Sequence, residues 1–188
     1  MTTKTDTLNI SLPACSVPRS VDIDVAVLDD SWLSIEDCEA LCRHAAALTA
    51  AKAAEAGHDA PVEISIALSS DREIQLLNAR YRNQDKPTNV LAFPNGMMLA
   101  EADGHVFLGD VVIAYETLMN EAASEGKNPR HHLAHLVVHG VLHLFGYDHE
   151  TDAEAEQMEH VERAILRSLN VPDPYSAWSG SEAAPEAA

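Results

Sequence analysis

Residues 131 to 149 read HHLAHLVVHGVLHLFGYDH, and the fold is decided here. His139 and His143 stand four apart, so on a helix their imidazoles share one face about one turn apart. Leu133, Leu136, Val137, Val138, Val141, Leu142, Leu144 and Phe145 make the segment apolar nearly all the way round, which predicts a buried helix rather than a half-exposed one. Gly146 can end that helix, because glycine takes a positive φ at little steric cost. The chain then turns back and offers His149 to the same point. Three neutral imidazoles around one spot suit a single zinc ion per chain, with a fourth position left for water. The plainer alternative is a set of core histidines with satisfied hydrogen bonds, which accounts well for one His and poorly for three.

The spacing H-x3-H-x5-H, with a glycine three residues after the second His, coincides with the metzincin protease pattern H-E-x-x-H-x-x-G-x-x-H except at one position. Gly140 stands where the protease carries its general-base Glu. The ligand geometry is kept and the protease base is absent. A three-histidine site of this kind points to hydrolysis without saying of which bond.

With 188 residues the chain is long enough for one domain with a real core. Its formal net charge of −18 argues against a general electrostatic grip on nucleic acid or on an anionic membrane. Much of the excess lies late: from Asp148 onward there are ten acids against Arg163 and Arg167. Cys15, Cys38 and Cys42 are odd in number and lack zinc-ribbon spacing, which suits reduced thiols in a cytoplasmic protein. Cys38 and Cys42 read as one helix face. No apolar run is long enough to span a bilayer, and MTTKTDTLNI lacks a signal-peptide core, so no membrane partner is expected.

Residues 1 to 20, with Pro13 and Pro18, read as a loose extension, and 176 to 188 as a disordered tail. VDIDVAV (21–27) and VEISIAL (62–68) alternate with period two and predict strands. Between them Ser34 is placed to cap a helix running to about Ala56, with Asp37 in the capping-box position. Ser69 or Ser70 caps a helix starting DREIQLLNARYR. NVLAF, closed by Pro94, is a short strand, 95–106 a hairpin-like loop, and FLGDVVIA (107–114) another strand. A helix over 115–124 ends at Gly126, and Pro129 opens the histidine helix. Thr151 caps an acidic amphipathic helix whose apolar positions are Met158, Val161, Ile165, Leu166 and Leu169. The expectation is one α+β domain over 21–175: a small mixed four-stranded sheet, about five helices, and a zincin-like metal helix between the sheet and the acidic final helix, which shows its charges to water.

Six of the twelve Lys and Arg residues lie between Arg72 and Arg130. Arg80, Arg82 and Lys86 fall within seven residues of one another. A guanidinium near a metal can hold phosphate oxygens and offset the charge that develops on them. A solvated helix end explains the same residues by spacing alone.

Taken together, the two segments resemble the YbeY family of bacterial endoribonucleases. His139, Gly140, Leu142, His143, Leu144, Gly146, Tyr147, Asp148 and His149 match its H-G-x-L-H-L-x-G-Y-D-H motif. Tyr81, Arg82, Asp85, Lys86, Pro87, Thr88, Asn89, Val90, Leu91, Phe93 and Pro94 match Y-R-x-x-D-K-P-T-N-V-L-x-F-P, and Leu108 to Asp110 fit as well. The resemblance implies a zinc-dependent endoribonuclease acting on single-stranded RNA, in 16S rRNA 3′-end maturation and ribosome quality control. It implies His139, His143 and His149 as zinc ligands. It sets Arg82 at the phosphate side of the cleft as a catalytic residue beside His139, with Lys86 as a further substrate contact. The expected partners are rRNA and a ribosome or ribosomal protein that supplies positive surface, and DNA is not expected. His135 shares the metal face, and His131 and His132 lie in the helix's first turns without a defined role. Asp148 either orients an imidazole or bonds backbone in the turn. A zinc peptidase and a non-catalytic ribosome-associated factor with structural zinc are the alternatives.

Overall fold

The structure is a computed structural model, and it describes residues 20–54, 61–96 and 105–176. Its elements are β1 (Val21–Val27), α1 (Cys38–Ala54), β2 (Val62–Ser69), α2 (Asp71–Arg82), β3 (Val90–Pro94), β4 (Val106–Ala114), α3 (Tyr115–Glu125), α4 (Pro129–Leu144) and α5 (Asp152–Ser168). The sheet order is β1-β2-β4-β3. β2 pairs parallel with β1 and β4, while β3 pairs antiparallel with β4, so the sheet is mixed as expected. The 95–106 loop lies largely outside the described residues, as do 1–19 and the chain after Ser176, so all of the loose extension but Ser20 and all of the tail but Ser176 lie outside them too.

Period-two patterning sorts the sheet into two faces. Ile23, Val25, Ile64, Ile66, Leu68, Val111 and Ile113 turn to the side where α1 and α4 pack, and together they form the main core. Val112, Ala114 and Leu91 turn to the other side, where Ile74 of α2 closes a smaller core. α1 buries mostly small residues toward its neighbours, with Cys38, Cys42, Ala45, Ala46, Ala50 and Ala53 all buried. These let it lie close against β1 and α4. α4 is buried nearly all round, sandwiched between the sheet and helices α1, α3 and α5, as its apolar composition predicts. No helix among the described residues is long and apolar enough to cross a membrane.

One start signal is corrected. Ser34 does not cap α1. Asp29 caps a short 3-10 turn over Asp30–Ser34, accepting from the Ser31 N–H at 2.8 Å. α1 begins four residues after Ser34, at Cys38, following Asp37 at φ 50°. The cause is tertiary. Trp32 is fully buried and its indole N–H donates to the Ser69 carbonyl at 2.9 Å, so the chain must dip inward before the helix starts. Ser34 Oγ meets the Tyr115 hydroxyl instead.

At Gly109 the ladder between β2 and β4 shifts by one residue: Glu63 pairs with Phe107 and Ile64 with Gly109. The bulge puts Gly109 at φ +138°, where a Cβ would lie 2.1 Å from the Phe93 carbonyl oxygen of β3. Gly109→Ala is expected to destabilise the fold by about 2–3 kcal/mol. The change reads out as a lower urea midpoint at unchanged slope.

Candidate metal centre

Three features of the chain assemble the site. Asn128 caps α4, its side chain accepting from the Arg130 N–H at 2.9 Å, and Pro129 takes the first helical position. The helix fixes His139 and His143 on one face. At its end Gly146 adopts φ +83°, which reverses the chain and brings His149 back. The three residues offer ligand nitrogens that all lie within 4.8 Å of one another. His139 Nε2 and His143 Nε2 are 3.1 Å apart, and the His149 ring centre is 5.6 and 5.2 Å from those of His139 and His143.

The outer nitrogens decide what the inner ones can do. His143 Nδ1 donates to the Tyr147 carbonyl at 2.9 Å. His139 Nδ1 donates to Glu162 Oε1 at 2.8 Å. Each Nε2 therefore presents a lone pair to the same point, an arrangement that wants a cation between them. Tetrahedral zinc with bonds of about 2.0–2.1 Å separates its nitrogen ligands by about 3.3 Å, close to the spacing found. The donor set fits a metal ion. Burial holds His143 below the ordinary imidazole value, and the neighbouring His139 and His149 push the same way, so it is neutral and ready to ligate.

Glu162 departs from the pattern of the acidic helix. It was expected to show its charge to water with the rest of α5, and it is fully buried. Burial alone would raise its pKa, but hydrogen bonds from the imidazoles and from the Tyr175 hydroxyl outweigh that and hold it at about 2. Tyr175 donates to Glu162 Oε2, which burial and the carboxylate answer by pushing the phenol above its usual range. The signal was present: Glu162 lies four residues after Met158 and three before Ile165, in the apolar stripe of α5. An acid in a buried stripe marks a partner inside.

Asp148 accepts from the His149 backbone N–H at 2.8 Å, which is the turn role rather than the imidazole role. His132 donates through Nε2 to Glu121 Oε2 at 2.8 Å. Glu121 also accepts from Asn89 at 3.0 Å. One hydrogen-bonded chain thus joins the D-K-P-T-N segment to the histidine helix. Arg82 ends α2 and is exposed, its side chain making no hydrogen bond or ion pair among the described residues. Its helix packs on the sheet face opposite α4 through Ile74. Lys86 is also exposed, its backbone fixed by Asn78 and Gln84.

The fold and site define an α+β protein in which three histidines, two on a buried helix and one on the turn after it, could hold a metal ion. The profile of the endoribonuclease YbeY family matches residues 24–170, and the chain belongs to that family. The endoribonuclease YbeY of Azorhizobium caulinodans is 49% identical over 160 residues, covering 83% of this chain and 97% of that protein. That of Rhodopseudomonas palustris strain BisB18 is 48% identical over 155 residues (81% and 91%), and that of Chelativorans sp. 44% identical over 156 residues (82% and 93%). The solution structure of TM1509 from Thermotoga maritima is 21% identical, with a TM-score of 0.46, over 85% of this chain and 99% of that one.

Proposed function

We propose that the chain is a zinc-dependent endoribonuclease that cuts single-stranded RNA in the cytoplasm, in 16S rRNA 3′-end maturation and ribosome quality control, with residues 21–175 as its catalytic unit. The observation that carries this reading is the pair of Nε2 lone pairs held 3.1 Å apart beside His149, in a chain of this family. His139, His143 and His149 would hold the zinc ion, which when bound polarises a phosphoryl oxygen or activates water. The chain's own residues do the rest. Glu162 fixes the His139 ring in the tautomer that faces the ion. Arg82 holds the scissile phosphate through its guanidinium fork and offsets charge as the phosphorus becomes five-coordinate, with Lys86 as a second contact. No carboxylate occupies the position of a peptidase base, because residue 140 is glycine.

A net charge of −18 makes binding to naked RNA weak and salt-sensitive. A ribosome or ribosomal protein then supplies the missing positive surface. Zinc-loaded wild type and Arg82→Glu, compared on end-labelled single-stranded RNA, test the reading. The expected loss for the variant is about 10²-fold or more at unchanged zinc content, since it reverses a charge that stabilises the transition state. Equal cleavage by the two proteins would remove Arg82 from the site. The product ends identify the nucleophile: a 2′,3′-cyclic phosphate marks attack by the RNA's own 2′-hydroxyl, and a 5′-phosphate marks attack by water.

A further inference from the structure

Residues 80 to 86 read RYRNQDK, three cations and one acid in a chain of net charge −18. Tyr81 lies in their midst and has no role so far. It follows Ile74 by seven residues and Leu77 by four, so it continues the apolar stripe of α2. Ile74 is fully buried and Leu77 packs on the smaller core, but at Tyr81 the stripe runs off the sheet. The residue is 58% exposed. A tyrosine covered on both faces would show only its rim, so at this exposure a ring face is open to solvent.

The ring is nevertheless held. Phe93 of β3 meets it edge to face, with ring centres 5.3 Å apart at 66°. The Arg80 guanidinium carbon lies 5.3 Å from the Tyr81 ring centre. The loop beyond the helix is fixed as well. Asn83 turns the chain at φ 55°, Asn78 donates to the Lys86 carbonyl at 2.8 Å, and Gln75 donates to Asp85 at 2.8 Å. Lys86 is thereby kept beside α2, and the one acid of the stretch is engaged by an amide rather than by a cation. Arg80, Arg82 and Lys86 are all exposed, and their side chains make no hydrogen bond or ion pair among the described residues. An anchored, open aromatic ring among unpaired cations is what binds single-stranded nucleic acid: the ring takes a base and the cations take the phosphates.

The patch also communicates with the metal helix through β3, the edge strand of the sheet. Val90 Cγ2 lies 3.3 Å from where a Cβ would stand at Gly140, next to His139. Phe93, which backs Tyr81, is three residues or about 10 Å further along the strand, on its other face. An RNA strand passing this edge can touch both.

We propose that Tyr81, backed by Phe93 and flanked by Arg80, Arg82 and Lys86, is a stacking platform for an unpaired RNA base, with the cations on the phosphates to either side of that base. The choice of RNA rests on the endoribonuclease reading; the open ring and its unpaired cations do not. The platform gives a reason for single-strand preference, because the bases of a duplex already stack on one another and do not splay out onto a side chain.

The test compares two labelled, nuclease-resistant oligomers of one length: a uridine oligomer with 2′-O-methyl riboses and phosphorothioate links, and its abasic counterpart on the same backbone. Binding to the zinc-loaded full chain is followed by fluorescence anisotropy at low salt. The proteins are wild type, Tyr81→Leu, which keeps an apolar contact for Phe93 but has no ring, and Tyr81→Phe, which keeps the ring without the hydroxyl. Equal urea midpoints establish that all three are folded. Wild type and Tyr81→Phe are expected to hold the base-bearing oligomer about tenfold more tightly than the abasic one, equivalent to about 1.4 kcal/mol. Tyr81→Leu is expected to lose that preference and to bind the abasic oligomer as wild type does. No preference for bases in wild type, no binding of either oligomer, or a preference that survives in Tyr81→Leu would overturn the proposal; the first is also what a ring that packs on a protein partner would give. RNA cleavage by a protein without the preference would remove the platform and leave the nuclease reading. A Tyr81-dependent preference in a protein that cuts no RNA would do the reverse.

Discussion

Glu162→Ala is expected to weaken zinc binding about 10- to 100-fold, read by competition with a chromophoric chelator. The carboxylate is the partner of His139 Nδ1, and without it the ring loses both its orientation and its fixed tautomer. The same change is expected to cost about 1–3 kcal/mol of stability, because the half-buried His139 N–H is left without an acceptor. Glu162→Gln keeps the shape and one acceptor oxygen and should fall between the two. The pH dependence has a definite sign. Glu162 is held at about 2, below its model-compound value of 4.5. Its contribution is therefore fully present above about pH 4.5 and is lost only as pH falls toward 2, so urea midpoints of wild type and Glu162→Ala should converge in that window.

Gly140→Glu restores the protease motif letter for letter, and the expected result is a protein that fails to fold rather than a peptidase. The Cβ direction at residue 140 runs into the sheet: a Cβ there would sit 2.7 Å from Val111 Cγ1 and 3.3 Å from both Val111 Cγ2 and Val90 Cγ2. Those are branched, packed side chains with nowhere to move. Even Gly140→Ala should cost about 1–3 kcal/mol by overpacking. A carboxylate at this buried position adds an unpaired charge worth several kcal/mol more. Soluble yield and circular dichroism of the two variants check the ordering. A folded Gly140→Glu protein that digests casein would revive the peptidase alternative.

Gly140 also shows what the sequence held and what it withheld. Its letter excluded the protease base at once. That the missing side chain makes room for β4 and β3 depends on which strand passes the helix, and no local pattern carries that. The histidine spacing, the Pro129 start, the Thr151 cap and the Gly126 stop are all readable, because each is settled within one or two helical turns; that Glu154 completes a capping box with Thr151 comes from the structure. Ser34 has the local pattern of a good cap, and the burial of Trp32, a contact across 37 residues, overrides it. Glu162 was counted among the acids of α5 by composition, although its place in the apolar stripe argued otherwise. Arg82 ends α2 and is exposed, and its side chain has no hydrogen bond or ion pair among the described residues, so its part in the site is not fixed by packing.

The three-histidine centre is proposed to cut RNA. Its most direct test is cleavage of one end-labelled single-stranded RNA by a single preparation, assayed as purified, after chelation, and after zinc is returned, beside His143→Ala purified in parallel. The expected result is cutting that is lost on chelation, regained with zinc, and absent in His143→Ala, with zinc content following the same order. Cutting that persists in the metal-free protein, or that is equal in His143→Ala, would contradict it.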